Sequence, residues 1–178
     1  MNKQLWIEKA LGLGIQEFEI YQSTTVEKEM TWFQGQMDTL VSSKVTGTSI
    51  RGIVDGKMAN MALEEVNDDQ CEIILKSLIE QAHIISNEET DSLRKPEAIE
   101  YVKKDVTWNM ASTEYVKDIL QTLETKILAY DPRVIQVGYL GYSQGSGSRS
   151  IVNSLGMDVQ DFDEMQYIVA SVVVKEEE

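Results

Sequence analysis

The sequence has little with which to hold a metal ion: one histidine, His83, and one cysteine, Cys71, in 178 residues. Metal motifs usually draw two ligands from a single helical turn, so a zinc site built on a histidine pair is excluded. The lone thiol also lacks an intramolecular disulfide partner, which suits a reducing cytoplasm. Basic charge is equally scarce. Sixteen Lys and Arg stand against 30 Asp and Glu, giving a formal net charge of −14. Such a surface repels phosphate backbones and anionic membranes, and no Lys/Arg stripe offsets the mean field. No apolar run approaches the roughly 20 residues needed to span a bilayer. The opening Met1-Asn2-Lys3-Gln4 leads into a patterned helix, not a signal-peptide core.

Only two prolines occur, Pro96 and Pro132, and no Ser/Gly linker separates independent units, so a single domain over 1–178 is expected. With 42% apolar residues the chain can bury a substantial core. Asn2 is placed to cap a first helix over roughly residues 3–13, with Ile7, Ala10 and Leu11 as its stripe and Gly14 as a left-handed cap. The period then changes to two, with Phe18 and Ile20 opposed to Glu17, Glu19 and Tyr21. An antiparallel meander follows to about Leu63. Its turns are expected at Gln34-Gly35 and at Asp55-Gly56, the latter a strong signal because a primed turn needs positive φ.

Asn67 and Gln70 read as a capping box for a second helix ending near Asn87, its apolar face carrying Cys71, Ile74, Leu75, Leu78, Ile79, Ala82 and Ile85. Residues 88–98 read as a loop and Tyr101 to Trp108 as a short strand. Ser112 or Thr113 caps a third helix with Val116, Ile119, Leu120, Leu123 and Ile127 on one face, stopped by Asp131-Pro132. Strand text resumes at Val134–Tyr139, breaks at an expected Gln144-Gly145-Ser146-Gly147-Ser148 hairpin tip, and returns at Arg149–Asn153. A Leu155-Gly156 turn then leads into a final strand, Gln166 to Val174. The fold class is thus α+β, with antiparallel β-meanders and three main helices. Each half has a helix, a break and a meander, which suggests an internal duplication with pseudo-halves of about 1–95 and 96–178.

No residue earns a catalytic, cofactor-binding or metal assignment on this reading. Cys71 lies on an apolar helix face, where an inert buried thiol is the ordinary outcome. His83 falls on the opposite side, where a solvated imidazole is the ordinary outcome. The Gly145-Ser146-Gly147-Ser148 string lacks the spacing of a nucleophile elbow and the lysine of a phosphate loop. Acids are plentiful at Glu64-Glu65, Asp68-Asp69, Glu88-Glu89, Asp161, Asp163 and Glu164, and solvated surface carboxylates are the default for all of them. Trp6, Trp32 and Trp108 are candidates for an aromatic binding surface, with core packing the simpler role for Trp32.

Three stretches carry a family likeness: Ala10-Leu11-Gly12-Leu13-Gly14 with Glu17-Phe18-Glu19-Ile20-Tyr21; the hairpin Thr46–Lys57 with its Arg51 and Asp55-Gly56-Lys57; and Ile151-Val152-Asn153-Ser154-Leu155-Gly156. Together they resemble the N-terminal domain of PmbA/TldD proteins, once called modulators of DNA gyrase. The resemblance implies a cytoplasmic protein with an N-terminal domain of about this size and a larger C-terminal domain. It implies a peptidase of two paralogous subunits that acts on unfolded peptides, with zinc held in the C-terminal half of one subunit. The Asn-Ser-x-Gly turn and the polar loop 88–98 resemble the PmbA subunit, which lacks the zinc motif. The sequence stops at Glu176-Glu177-Glu178 where the family continues, so a fragment without the C-terminal domain is expected and no metal ligand is carried over.

The resemblance implies a non-catalytic role in dimer assembly, with a homo- or heterodimeric paralogue partner, and in enclosing a peptide. A rival reading is a free-standing interaction module whose open edge, Val172-Val173-Val174, pairs with a partner strand. A self-sufficient hydrolase working through surface carboxylates is the weakest alternative.

Overall fold

A computed structural model describes residues 1–86, 90–97 and 110–175. Helix α1 (Lys3–Gly12) is followed by β1 (Glu17–Phe33), β2 (Gln36–Val54) and β3 (Lys57–Leu63). A 3-10 turn (Asp68–Gln70) enters α2 (Cys71–Ile84). Then come α3 (Thr113–Leu128), β4 (Val134–Asn153) and β5 (Asp158–Val174). The strands form one five-stranded antiparallel sheet in the order β3-β2-β1-β4-β5, which makes the fold α+β. The Tyr101 to Trp108 strand expected from sequence lies outside the described residues, as do Asn87 and Glu88-Glu89.

Two hairpin turns set the register. Gln34 and Gly35 have φ of 49° and 77°, and Asp55 and Gly56 have 49° and 74°. Positive φ at both central residues is the primed geometry, whose twist matches that of the flanking strands. The second turn pairs Val54 with Lys57 and carries the ladder out to Thr48 opposite Leu63.

Compactness divides the chain into two units, each assembled from three stretches. The first comprises 1–24, 45–102 and 148–162; the second comprises 25–44, 103–147 and 163–178. In the first unit, α1 and α2 cover one sheet face. Trp6, Ile7 and Ala10 of α1 meet Phe18 and Ile20 of β1, Ile50 of β2, and Cys71, Leu75, Leu78 and Ala82 of α2. Burying each large apolar side chain is worth about 1.5–3 kcal/mol, so this face anchors the unit. Asn2 caps α1 by accepting from the Leu5 amide at 3.1 Å, and Gly14 takes φ 91° after the helix, as its position suggested. Leu11, expected in the α1 stripe, is 45% exposed; Trp6, one turn before Ala10, takes the buried face instead. Asn67 caps the 3-10 turn, not α2 itself, by accepting from Asp69.

In the second unit, α3 covers a cluster of Met30, Trp32, Val137, Leu140 and Tyr142 with its Val116 and Leu120. Ser112 is the helix cap and accepts from Tyr115.

The strands are longer than their sequence suggests. Gln144–Ser148 is strand interior, not a hairpin tip: β4 runs unbroken for 20 residues through it. At Gly147 the neighbouring atoms are those of the exposed Asp163 carboxylate on β5, the far end of a flexible side chain. Likewise β5 begins at Asp158 and not at Gln166.

Candidate functional site

Successive strand residues point to opposite faces, so the residues between the core positions of the first unit emerge on the face away from α1 and α2. On β1 these are Glu17, Glu19 and Tyr21; on β2, Ser49 and Arg51; on β3, Asn60, which pairs directly with Arg51. On β4 they are Ile151 and Asn153.

Glu19 is the centre of this face and is only 2% exposed. Arg51 Nε and Nη2 both donate to its Oε1, at 2.7 and 2.6 Å. Asn153 Nδ2 donates to Oε2 at 3.1 Å. A buried carboxylate is tolerated only when its oxygens are satisfied in this way. Asn153 is itself 4% exposed and fully used. Its Nδ2 also donates to the Arg94 carbonyl at 2.9 Å, and its Oδ1 accepts from the Leu155 and Met157 amides, both at 3.0 Å. That pair of bonds folds the turn in which Gly156 takes φ 91°. The same turn is stitched to β1: Ser154 N donates to the Phe18 carbonyl at 2.8 Å, and Phe18 N donates to Ser154 Oγ at 2.9 Å.

Residues 90–97 form a strap along this face. Asp91 receives the Met58 amide at 3.1 Å and donates its own amide to the Gly56 carbonyl at 2.9 Å. Leu93 N donates to Glu17 Oε2 at 2.6 Å, the Leu93 side chain is buried, and Arg94 supplies the carbonyl for Asn153. Beyond the strap, a groove of about 400 Å³ opens, lined by Glu19, Tyr21, Ser49, Arg51, Asn60, Met61 and Ile151 among others. The arrangement offers one guanidinium, several neutral polar groups and short apolar walls. That set can bind and orient, and it supplies no paired acid and base within reach of each other.

The residues weighed from sequence sit elsewhere. Cys71 is fully buried in the first core, and burial pushes its thiol pKa up. Native protein is therefore expected to react with a thiol reagent more than about a hundredfold slower than unfolded protein, because modification must wait for an opening event. A fast stoichiometric reaction of the folded chain would contradict this placement. His83 is exposed, 3.7 Å from Asp55. Trp6 and Trp32 are core residues, not a binding surface; the Trp6 indole donates to Asp68 Oδ1 at 2.7 Å. That bond, with the Asn2 amide, holds the Asp68 carboxyl below the usual carboxylate range. Trp108 lies outside the described residues. Asp161 and Asp163 belong to β5, as does Glu164. Among the described residues no group of three or more His, Cys, Asp or Glu is placed to hold a metal ion, and no helix is long and apolar enough to cross a membrane.

Glu19 and Asn153 were missed as interior polar groups, although both stand in the stretches that carried the family likeness. Those three stretches, distant in sequence, converge on the Glu19 carboxylate. Glu124 was missed as well. It lies one turn beyond Leu120 and two beyond Val116 on the buried stripe of α3, a spacing that marks a buried acid.

Comparison with known proteins bears on this geometry. Residues 18–86 match the PmbA/TldA metallopeptidase domain 1, and residues 107–178 match the PmbA/TldA metallopeptidase central domain. The chain belongs to the PmbA/TldD family. Among solved structures it is similar to a protein described as a modulator of DNA gyrase from Thermotoga maritima. The TM-score is 0.80 and the identity 18%, over 98% of this chain and 39% of that one. It is similar to TldE from Thermococcus kodakarensis, with TM-score 0.80 and 19% identity over 98% and 39% of the two chains. A described modulator of DNA gyrase from Bacteroides thetaiotaomicron gives TM-score 0.75 and 18% identity, over 99% and 42%. At these identities the structures establish the shared fold. The chain spans about two fifths of the length of each of these relatives. No curated protein matches the sequence.

Proposed function

We propose that this chain is the non-catalytic N-terminal part of a PmbA/TldD-type peptidase subunit of the PmbA kind, acting in the cytoplasm. In this reading it helps a homo- or heterodimer with a paralogue to assemble and walls the space in which an unfolded peptide is held. The zinc that does the hydrolysis belongs to the partner subunit of that complex. The reading is carried by the groove along β1, β2 and β3, whose floor is fixed by the bonds of Arg51 and Asn153 to the buried Glu19 carboxylate and which has binding groups without a hydrolytic set.

A second reading has its own support. β5 is an edge strand, and Val172, Val173 and Val174 are 46, 43 and 61% exposed. An open edge of this kind pairs readily with a partner strand, as an interaction module would use it.

One experiment separates the two. Backbone NMR shifts are followed while a short unstructured peptide is titrated into the chain. Shifts concentrated at Tyr21, Arg51 and Asn60 are expected. Shifts confined to β5 favour the interaction module, and no shifts up to millimolar peptide refute groove binding.

A further inference from the structure

Arg51 and Glu19 form a pair with unequal access to solvent. The Glu19 side chain is 3% exposed and that of Arg51 is 43% exposed. What an entering molecule meets is therefore the cation. Both bonds that Arg51 makes to Glu19 leave through Nε and Nη2 and end on one oxygen, Oε1. A guanidinium has five N–H donors in a fixed plane, so this contact locks the side chain while leaving donors over for a ligand. The other carboxylate oxygen is already met by Asn153.

The accessible groups around Arg51 carry no charge that opposes it. Ser49, Asn60 and Tyr21 are neutral, and the one acid lining the groove among the described residues is the buried Glu19. With Arg51 paired to Glu19 the groove is close to neutral, in a chain of net charge −14. A polyanion would be repelled by the surroundings at long range, whereas a single negative charge loses little and gains charge-assisted hydrogen bonds at the end of its approach. Met61 and Ile151 add apolar wall beside the cation. A charge next to an apolar side chain is the chemistry of the last residue of a peptide.

The geometry points to the groove as a site for the free α-carboxylate of a peptide ending in an apolar residue, with Arg51 as the anchoring cation. This rests on the peptide-enclosing reading above and says which part of the peptide the groove reads. Asn60 stands opposite Arg51 in the β2–β3 ladder, where a charge introduced by substitution would act on the same site.

The test compares two peptides of identical sequence ending in leucine, one with a free carboxylate and one amidated, by titration calorimetry on the unmodified chain. The free acid is expected to bind at least about tenfold more tightly. Asn60→Asp alters an exposed residue and sets a second carboxylate beside Arg51. It should bring the free acid down to the affinity of the amide while leaving the unfolding midpoint in place. Arg51→Gln should do the same to binding, but it strands Glu19, so its folding is checked by circular dichroism and the wild-type comparison carries the decision. Equal binding of acid and amide would overturn the carboxylate site and leave peptide enclosure standing. Binding of neither would overturn both. Competition by inorganic phosphate at the same concentration as the peptide would show a general anion site and overturn the assignment to a peptide terminus.

Discussion

Asn153→Asp is expected to cost about 3–5 kcal/mol of stability at neutral pH, read as a lower urea midpoint with an unchanged slope. The change is one atom in size. In the native site Nδ2 donates to Glu19 Oε2 at 3.1 Å and to the Arg94 carbonyl at 2.9 Å. Aspartate puts an oxygen there, so two hydrogen bonds become acceptor–acceptor contacts and two carboxylates face each other in a site only a few per cent exposed. One of them must then hold a proton in the folded state more tightly than in the unfolded chain. A carboxyl whose folded pKa is raised binds more protons when native, so stability rises as pH falls. The gap between variant and wild type should therefore be smaller at pH 5 than at pH 7. Asn153→Ala supplies the reference. It loses the same donors and both acceptor bonds to Leu155 and Met157 without adding charge, and it should cost about 2–3 kcal/mol with little pH dependence over that range. If the aspartate variant unfolds within about 0.5 kcal/mol of wild type, Asn153 is not the hub that joins β1, the strap and the β4–β5 turn.

Why this hub escaped a reading of the sequence follows from where its parts come from. The helices were legible because their evidence is local: Cys71, Leu75, Leu78 and Ala82 repeat at helical spacing, and burial follows that spacing. The turn at Asp55-Gly56 was legible for the same reason. Glu19 has no such local signature. It alternates with Phe18 and Ile20 as a solvated acid would, and it is interior only because the order β2-β1-β4 sets Arg51 on one side and Asn153 on the other. That order requires β4 to join β1 across more than a hundred residues of chain, which period and propensity do not encode. Strand length failed for a related reason. The Gln144–Ser148 segment has the composition of a turn, and tertiary pairing with its neighbours in the sheet overrides that propensity. A single strand also feeds both compact units, as β1 does between Thr24 and Thr25, so composition shows no boundary where the packing divides.

The second large effect is expected at Glu124, where Glu124→Ala should lower stability by about 2–4 kcal/mol. The carboxylate is 8% exposed on the inner stripe of α3. Its Oε2 accepts from the Trp32 indole at 2.8 Å and from the Gly35 amide at 2.9 Å. Trp32 ends the buried part of β1, and Gly35 is the second residue of the Gln34-Gly35 turn. One side chain thus fastens a helix to both the last core residue and the reversal of the β1–β2 hairpin. Alanine leaves the Trp32 N–H without an acceptor in a site where water has poor access, while the Gly35 amide, less deeply placed, recovers part of its loss by hydration. Glu124→Gln keeps an acceptor oxygen but gives up the charge, and it should restore about half of the loss, since bonds to a charged acceptor are roughly twice as strong as neutral ones. Amide exchange at Gly35 separates this anchoring from a simple cavity effect. It should speed up strongly in the alanine variant and modestly in the glutamine variant, whereas loss of packing alone would destabilise the unit without singling out that amide. A cost below about 1 kcal/mol, with Gly35 exchange unchanged, would mean that the hairpin holds its shape by the primed turn alone.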